Sequence, residues 1–264
     1  MDQKEIDLTR YFELKKQLEE ASRLYYKDGY SPMSDQDFDF GLKEMETLEA
    51  KYPELRGNAS LTQRVGSDLT NDFAKVAHAV PMLSIANVYS AEEMAEFVRA
   101  AEEGIANLGD SNRTTSGHKW ICERKIDGVS LSIVYENGRL KQAATRGDGA
   151  QGDDVTLNAL TIADIPETLD AKKLKIDPSE IPQGTFEVRG EVYMEREAFE
   201  RLNEQFILEG KKIFQNPRNT VSGSLKLKSV AECKTRPMRF FAYHIPQSDN
   251  KTHEENLQQL KKLG

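Results

Sequence analysis

Residues 122–149 read CERKIDGVSLSIVYENGRLKQAATRGDG, and the alternation inside them sets the class of the whole chain. Val129, Leu131, Ile133 and Tyr135 are spaced two apart in VSLSIVYE, which puts them on one face of a strand. Asn137-Gly138 follows, a strong short signal for a hairpin turn with positive φ at both positions. The stretch is therefore expected to be two antiparallel strands. Upstream, Glu123 and Lys125 are expected to share a strand face, with Asp127 just beyond at the turn.

The same period returns downstream. In GTFEVRGEVYM (184–194), Val188 and Val192 flank Gly190 on one face, and Glu187, Arg189 and Glu191 lie on the other. A helix is expected from about Arg196 to Glu209, then an irregular basic loop, then the apolar strand MRFFAYHI. Antiparallel strands with helices packed outside them make the fold class α+β and exclude a doubly wound parallel sheet.

Toward the N-terminus the period becomes helical. Tyr11, Leu14, Leu18, Ala21 and Tyr25 recur at steps of three and four, and KDGYSP breaks that stripe with Gly29 and Pro32. Ser34, with Asp37 three residues on, is expected to cap a second helix that carries Phe38, Leu42, Met45 and Leu48 inward. Two antiparallel helices joined by a short loop would form a unit of residues 1–69, with a boundary near residue 70 where turn residues lose periodicity. Residues 70–264 would form the sheet domain. A third helix is expected to open at Ser90, capped by Glu93, with Met94, Phe97, Ala101, Ile105 and Leu108 facing inward.

Bulk properties narrow the function classes. The 264 residues are 38% hydrophobic, enough for a sizeable core. No apolar run approaches the roughly 18 residues that span a bilayer, and no basic start precedes an apolar stretch as in a secretory leader. The expectation is a soluble cytoplasmic protein, monomeric and without a membrane partner. Cys122 and Cys233 form no metal-type spacing. A net charge of −8 argues against a surface that grips phosphate backbones all over. The charge is uneven, however: residues 1–60 hold 14 acidic and 9 basic side chains, and residues 211–240 hold 8 basic and 1 acidic. A local phosphate-facing surface remains open.

Lys125 carries the chemical question. A lysine held in a crevice can lose its proton through burial or a neighbouring cation, and the neutral amine then attacks phosphorus or carbonyl carbon. The bland alternative is a solvated charged edge. Its neighbours favour chemistry: TRGDG returns Arg146 along the hairpin, and a guanidinium suits ribose-phosphate oxygens. Arg-Gly-Asp inside TRGDG would mean adhesion only in a secreted protein. Glu191 adds a carboxylate from a separate strand.

ERKIDG, TRGDG, FEVRGEVYM and FQNPRNTVSGSLK, in this order and spacing, resemble the adenylation domain of the NAD-dependent bacterial DNA ligases. HAVPMLSIANVYS and LTQRVGS resemble the same family just upstream, and YYKDGYSPMSDQDFD resembles its N-terminal helical NAD-binding subdomain. The resemblance covers essentially the whole chain. It implies an antiparallel nucleotidyltransferase fold of the ATP-grasp-like DNA ligase kind. Lys125 would attack the α-phosphorus of NAD, expel nicotinamide mononucleotide (NMN) and carry AMP for a nick in double-stranded DNA, in replication and repair.

The resemblance also implies roles. Arg146, Arg218 and Lys226 would be the phosphate cations; Glu123 would accept from the adenine amino group; Ser84 and Ile85 would line the adenine pocket; Tyr243 would stack on the ring. Asp127 and Glu191 would hold the ribose or orient the lysine. Tyr25, Tyr26, Asp35, Gln36, Asp37, Phe38 and Asp39 would form the pocket for the cationic nicotinamide, although Tyr25 and Phe38 fit the helical core stripes equally well. Mg²⁺ or Mn²⁺ is implied by the chemistry, with no dedicated metal ligands visible.

Two positions depart from the family pattern: Phe38 stands where tyrosine is common, and Lys226 where many members carry arginine, which loses bidentate geometry. The chain also stops before the family's second catalytic lysine motif, its OB fold, zinc site and further domains, so nick sealing by this chain alone is not expected. Two other readings stay open. A nucleotidyltransferase of the RNA ligase or capping type would use ATP or GTP with a similar K-x-D-G. A non-catalytic nucleic-acid clamp would use 211–240 and form no covalent nucleotide.

Overall fold

The computed structural model describes residues 2–25, 32–56, 61–63, 72–107 and 119–264. In chain order the elements are α1 (Gln3–Arg23), α2 (Asp35–Lys51), β1 (Lys75–Ala77), α3 (Ala91–Asn107), β2 (Val129–Glu136), β3 (Arg139–Thr145) and β4 (Gln151–Asp153). They continue with α4 (Thr156–Ala159), α5 (Ala171–Leu174), β5 (Thr185–Tyr193), α6 (Arg196–Leu208), α7 (Pro217–Leu225), α8 (Val230–Cys233), β6 (Arg239–His244) and α9 (His253–Lys262). Mixed helix and antiparallel sheet make the fold α+β. Two compact units divide it: Met1–Leu83 with Ile126–Gly264, and Ser84–Lys125.

In the first unit, α1 and α2 bury Tyr11, Leu14, Leu18, Met45 and Leu48 together, the stripes expected from their spacing. Arg10 meets Glu44 through two bonds of 2.7 Å, and Lys51 meets Asp7 at 2.6 Å, so early α1 faces late α2 and the helices run antiparallel. Lys51, Gln3 and Tyr52 donate to Asp7 and hold its carboxyl down at about 2. Ser34 caps α2 by accepting from Asp37 N–H at 3.1 Å, and its hydroxyl donates to the Asp37 carboxylate at 2.6 Å. The expected boundary near residue 70 lies outside the described residues.

The main sheet is four-stranded, in the order β3-β2-β5-β6, antiparallel throughout. Asn137 and Gly138 take φ of 50° and 75°, the double positive-φ turn that closes the β2–β3 hairpin. Leu131, Ile133, Tyr135 and Val192 are buried on one face against α6, α7 and α8 residues such as Leu202, Leu225 and Cys233. Val188, Ile245 and Leu260 make a smaller cluster under α9. Gly190 is required where β5 meets β6, because a Cβ there would lie 2.3 Å from the Phe240 ring. A second, two-stranded sheet pairs β1 with β4, with Lys75 opposite Asp153. Among the described residues no helix is long and apolar enough to cross a membrane.

Two expectations are corrected. Residues 119–127 form no strand, so Glu123 and Lys125 do not share a strand face. The ladder with β5 begins only at Val129, opposite Val192, and at Gly128 the chain passes so close to the Val192 carbonyl that a Cβ would stand 2.0 Å from it. The second correction concerns α3, which has no buried residue, so Met94, Phe97, Ala101 and Ile105 do not form the inward face their spacing predicts; Leu108 lies outside the described residues. Within its unit the Phe97 and Trp120 rings lie 6.0 Å apart, and so short a segment has little chain with which to enclose a core. Ser90 does cap α3, accepting from Glu93 N–H at 3.1 Å while the Glu93 carboxylate accepts from Tyr89 N–H at 2.7 Å.

Candidate active site

The face of the sheet opposite the main core carries polar side chains at successive odd positions of β5. Glu187, Arg189 and Glu191 lie there, opposite Ser130 and Ser132 of β2. Ser130 donates to Glu191 at 2.9 Å and Ser132 to Glu187 at 2.8 Å, so the buried Glu191 and half-buried Glu187 carboxylates are both met by neighbouring hydroxyls. Tyr243, half-buried, has its phenol pushed above the ordinary range by burial and by the nearby Glu191 charge, against a hydrogen bond with Ser130.

Entry into β2 is fixed by Gly128. A Cβ at this position would stand 2.0 Å from the Val192 carbonyl oxygen, so only glycine lets the chain cross β5 so closely. Asp127, immediately before it, accepts from Arg218 at 2.9 Å. Arg218 stands in the first turn of α7, where Asn216 caps by accepting from Asn219 N–H at 2.8 Å and Pro217 presets the backbone. Its guanidinium also lies 5.3 Å from the centre of the Tyr25 ring, just past the end of α1.

Arg146 is delivered by the loop after β3. Gly147 and Gly149 adopt φ of 58° and 92°, and a Cβ on Gly147 would be 1.9 Å from the Gln151 carbonyl oxygen. Asp148 accepts from the backbone N–H groups of Ala150 at 3.0 Å and Gln151 at 2.9 Å, which knits the loop. Burial would raise this carboxyl, and the two N–H groups outweigh it and hold it below the usual range. The Asp of the Arg-Gly-Asp triplet is therefore spent on its own loop. Arg146, Arg218 and Tyr25 line one open cleft with Gly128, Ser130 and Asn219. Two cations, hydroxyl and amide groups and one aromatic ring suit a phosphate ester carrying an aromatic base.

The first unit thus brings together Tyr25, Asp127, Arg146, Glu191, Arg218 and Tyr243 around Ser130 and the cleft. Lys226 is held differently: it pairs at 3.0 Å with Asp153, which is fully buried and also bound by Lys75. Burial pushes the Asp153 carboxyl up, and the two lysines more than reverse this. Phe38 packs against the helical core, Gln36 and Asp37 are exposed, and Asp39 is half-buried. Tyr26 and the side chain of Asp35 lie outside the described residues. Ser84, Ile85, Glu123 and Lys125 belong to the second unit, where all four are exposed.

Sequence reading gave no role to Ser130, Asp153 or Arg189. Their one sequence signal is a polar or charged residue inside a strand, as in GDDV and VRGEV; the partners that give them meaning are distant in sequence. Among the described residues no group of three or more His, Cys, Asp or Glu side chains could hold a metal ion. Asp127 and Glu191 are already met by Arg218 and Ser130, so the donor set does not fit a dedicated magnesium cage.

Residues 4–66 match the family described as DNA ligase-like, N-terminal NAD+-binding domain, and residues 70–264 match the NAD-dependent DNA ligase adenylation domain. A DNA ligase of Xanthobacter autotrophicus is 47% identical over 219 residues, covering 83% of this chain and 29% of the relative. DNA ligases of Chlorobaculum tepidum and Cytophaga hutchinsonii are each 41% identical, over 253 and 259 residues, covering 95% and 97% of this chain and 36% of each relative. The chain spans about a third of the length of the curated relatives it matches.

Proposed function

Because the chain belongs to the NAD-dependent DNA ligase family, we propose that it binds NAD and transfers its AMP moiety to Lys125, the charging step that precedes sealing of a nick in double-stranded DNA. The observation that carries this reading is the convergence of Arg146 and Arg218 with Tyr25 on one cleft. In the step itself the Lys125 Nζ lone pair forms a bond to the α-phosphorus, the phosphorus–oxygen bond to NMN breaks, and Nζ loses a proton. The products are lysyl-AMP and free NMN.

Phosphoryl transfer asks the protein mainly for positioning and for cations where charge spreads over the phosphoryl oxygens. Arg146 and Arg218 supply those cations, with Lys226 as a third held by Asp153. Asp127 keeps Arg218 aimed. Glu191, fixed by Ser130, holds the ribose hydroxyls or orients the lysine, and Tyr243 stacks on the base. Glu123, Ser84 and Ile85 recognise the adenine. Tyr25, with Tyr26, Asp35, Gln36, Asp37 and Asp39, faces the nicotinamide; Phe38 serves the helical core. The match of residues 4–66 to an NAD+-binding domain favours NAD over ATP or GTP.

Titration with NAD and, separately, with ATP, followed by intact mass, tests the reading. One added AMP per chain from NAD and none from ATP is expected. Adduct from ATP alone, or from neither, overturns it.

A further inference from the structure

We propose that Arg189 is a positioning residue for base recognition: its buried guanidinium fixes the backbone at Val80 and Pro81, and with it the path of the chain toward Ser84 and Ile85. The inference rests on the adenylating function proposed above, and it gives a role to a charge that the chemistry leaves unused.

Arg189 sits in the middle of β5 and is only 6% exposed. Its Nε donates to Glu187 at 2.8 Å, and Glu187 also accepts from Ser132. The remaining fork leaves the sheet: Nη1 donates to the Pro81 carbonyl at 3.0 Å and Nη2 to that of Val80. A planar guanidinium can serve two successive carbonyls at once, which a lysine ammonium cannot do in fixed geometry. A buried ion pair is a poor way to gain stability, since apolar replacements of similar volume are often neutral or better. Anchoring a backbone segment in one register is a reason to keep one.

The segment is held from its other side as well. His78 N–H donates to the Ala150 carbonyl and Met82 N–H to that of Gly149, both at 2.9 Å. The His78 ring Nε2 lies 3.1 Å from the carbonyl oxygens of both Thr145 and Arg146; carbonyls only accept, so that nitrogen carries the proton. Residues 78–82 are therefore clamped between the polar face of β5 and the loop that delivers Arg146. Ser84 and Ile85 follow within three residues of Met82. Through this clamp Arg189 sets the chain entering the base-recognition residues against the chain carrying the phosphate cation.

The double variant Glu187→Met/Arg189→Met tests this, with Arg189→Lys as a milder second variant should the double one not fold. Two readouts are used: amide hydrogen exchange at Met82 without ligand, and the preference in lysyl-AMP formation for NAD over its hypoxanthine analogue, in which a carbonyl replaces the adenine amino group. The double variant should unfold as cooperatively as the parent, exchange Met82 about tenfold faster or more, and lose about tenfold or more of the preference; Arg189→Lys should fall between. A folded variant with parental Met82 exchange, or with faster exchange and an unchanged preference, overturns the proposal. If the parent itself takes AMP from neither dinucleotide, the adenylating function fails, and Met82 exchange alone then decides whether Arg189 is the anchor.

Discussion

On β5, Val188 and Val192 point into apolar clusters, whereas Glu187, Arg189 and Glu191, each one residue away, meet serine hydroxyls and backbone carbonyls. The contrast teaches how one strand serves two purposes: a period of two sorts residues that hold the sheet together from residues that place ligand-facing groups. Stability and chemistry should therefore respond to separate substitutions.

Crossed variants test that separation most strongly. Leu131→Ala on the apolar face removes a fully buried side chain and should cost about 2–5 kcal/mol in urea unfolding, with lysyl-AMP formation per folded molecule unchanged. Arg218→Ala should do the reverse, slowing lysyl-AMP formation on the order of 100-fold while moving stability by less than about 0.5 kcal/mol. If Leu131→Ala slowed the folded fraction's chemistry as much as Arg218→Ala, the two faces would not be separable.

Gly190 sharpens the comparison, because it lies on the apolar side between Arg189 and Glu191. Gly190→Ala forces a Cβ toward the Phe240 ring and the Phe241 carbonyl and should cost about 1–3 kcal/mol. Asp153 is read through pH. Its carboxyl is held below its ordinary value of 3.8 in the folded chain, so its contribution to stability is present above that value and lost as pH falls through the folded one. Unfolding curves should show the parent more stable than Asp153→Asn at neutral pH, with the gap narrowing on acidification; a gap that widened would contradict the assignment.

Local chemistry made much of the fold legible. Asn137-Gly138 needs only its own backbone preference to make a turn, and the stripes Tyr11, Leu14, Leu18 and Met45, Leu48 need only helical spacing to become a core. Where partners are remote, the sequence was silent or misleading. Residues 119–127 alternate as a strand does but lie ahead of the first paired residue, Val129. Lys75 and Asp153 meet across 78 positions, and Arg189 reaches Val80 and Pro81 across 109 and 108, distances no motif encodes. Arg146 and Arg218 were suspected from TRGDG and NPRN, yet their sharing of one cleft with Tyr25 came only from the fold.

The most direct measurement is a peptide map of the chain after incubation with NAD, with NMN release counted in parallel. One NMN released per AMP bound, with all of the AMP on the peptide containing Lys125, is the expected result. AMP on any other residue, or NMN released with no covalent adduct, would contradict it.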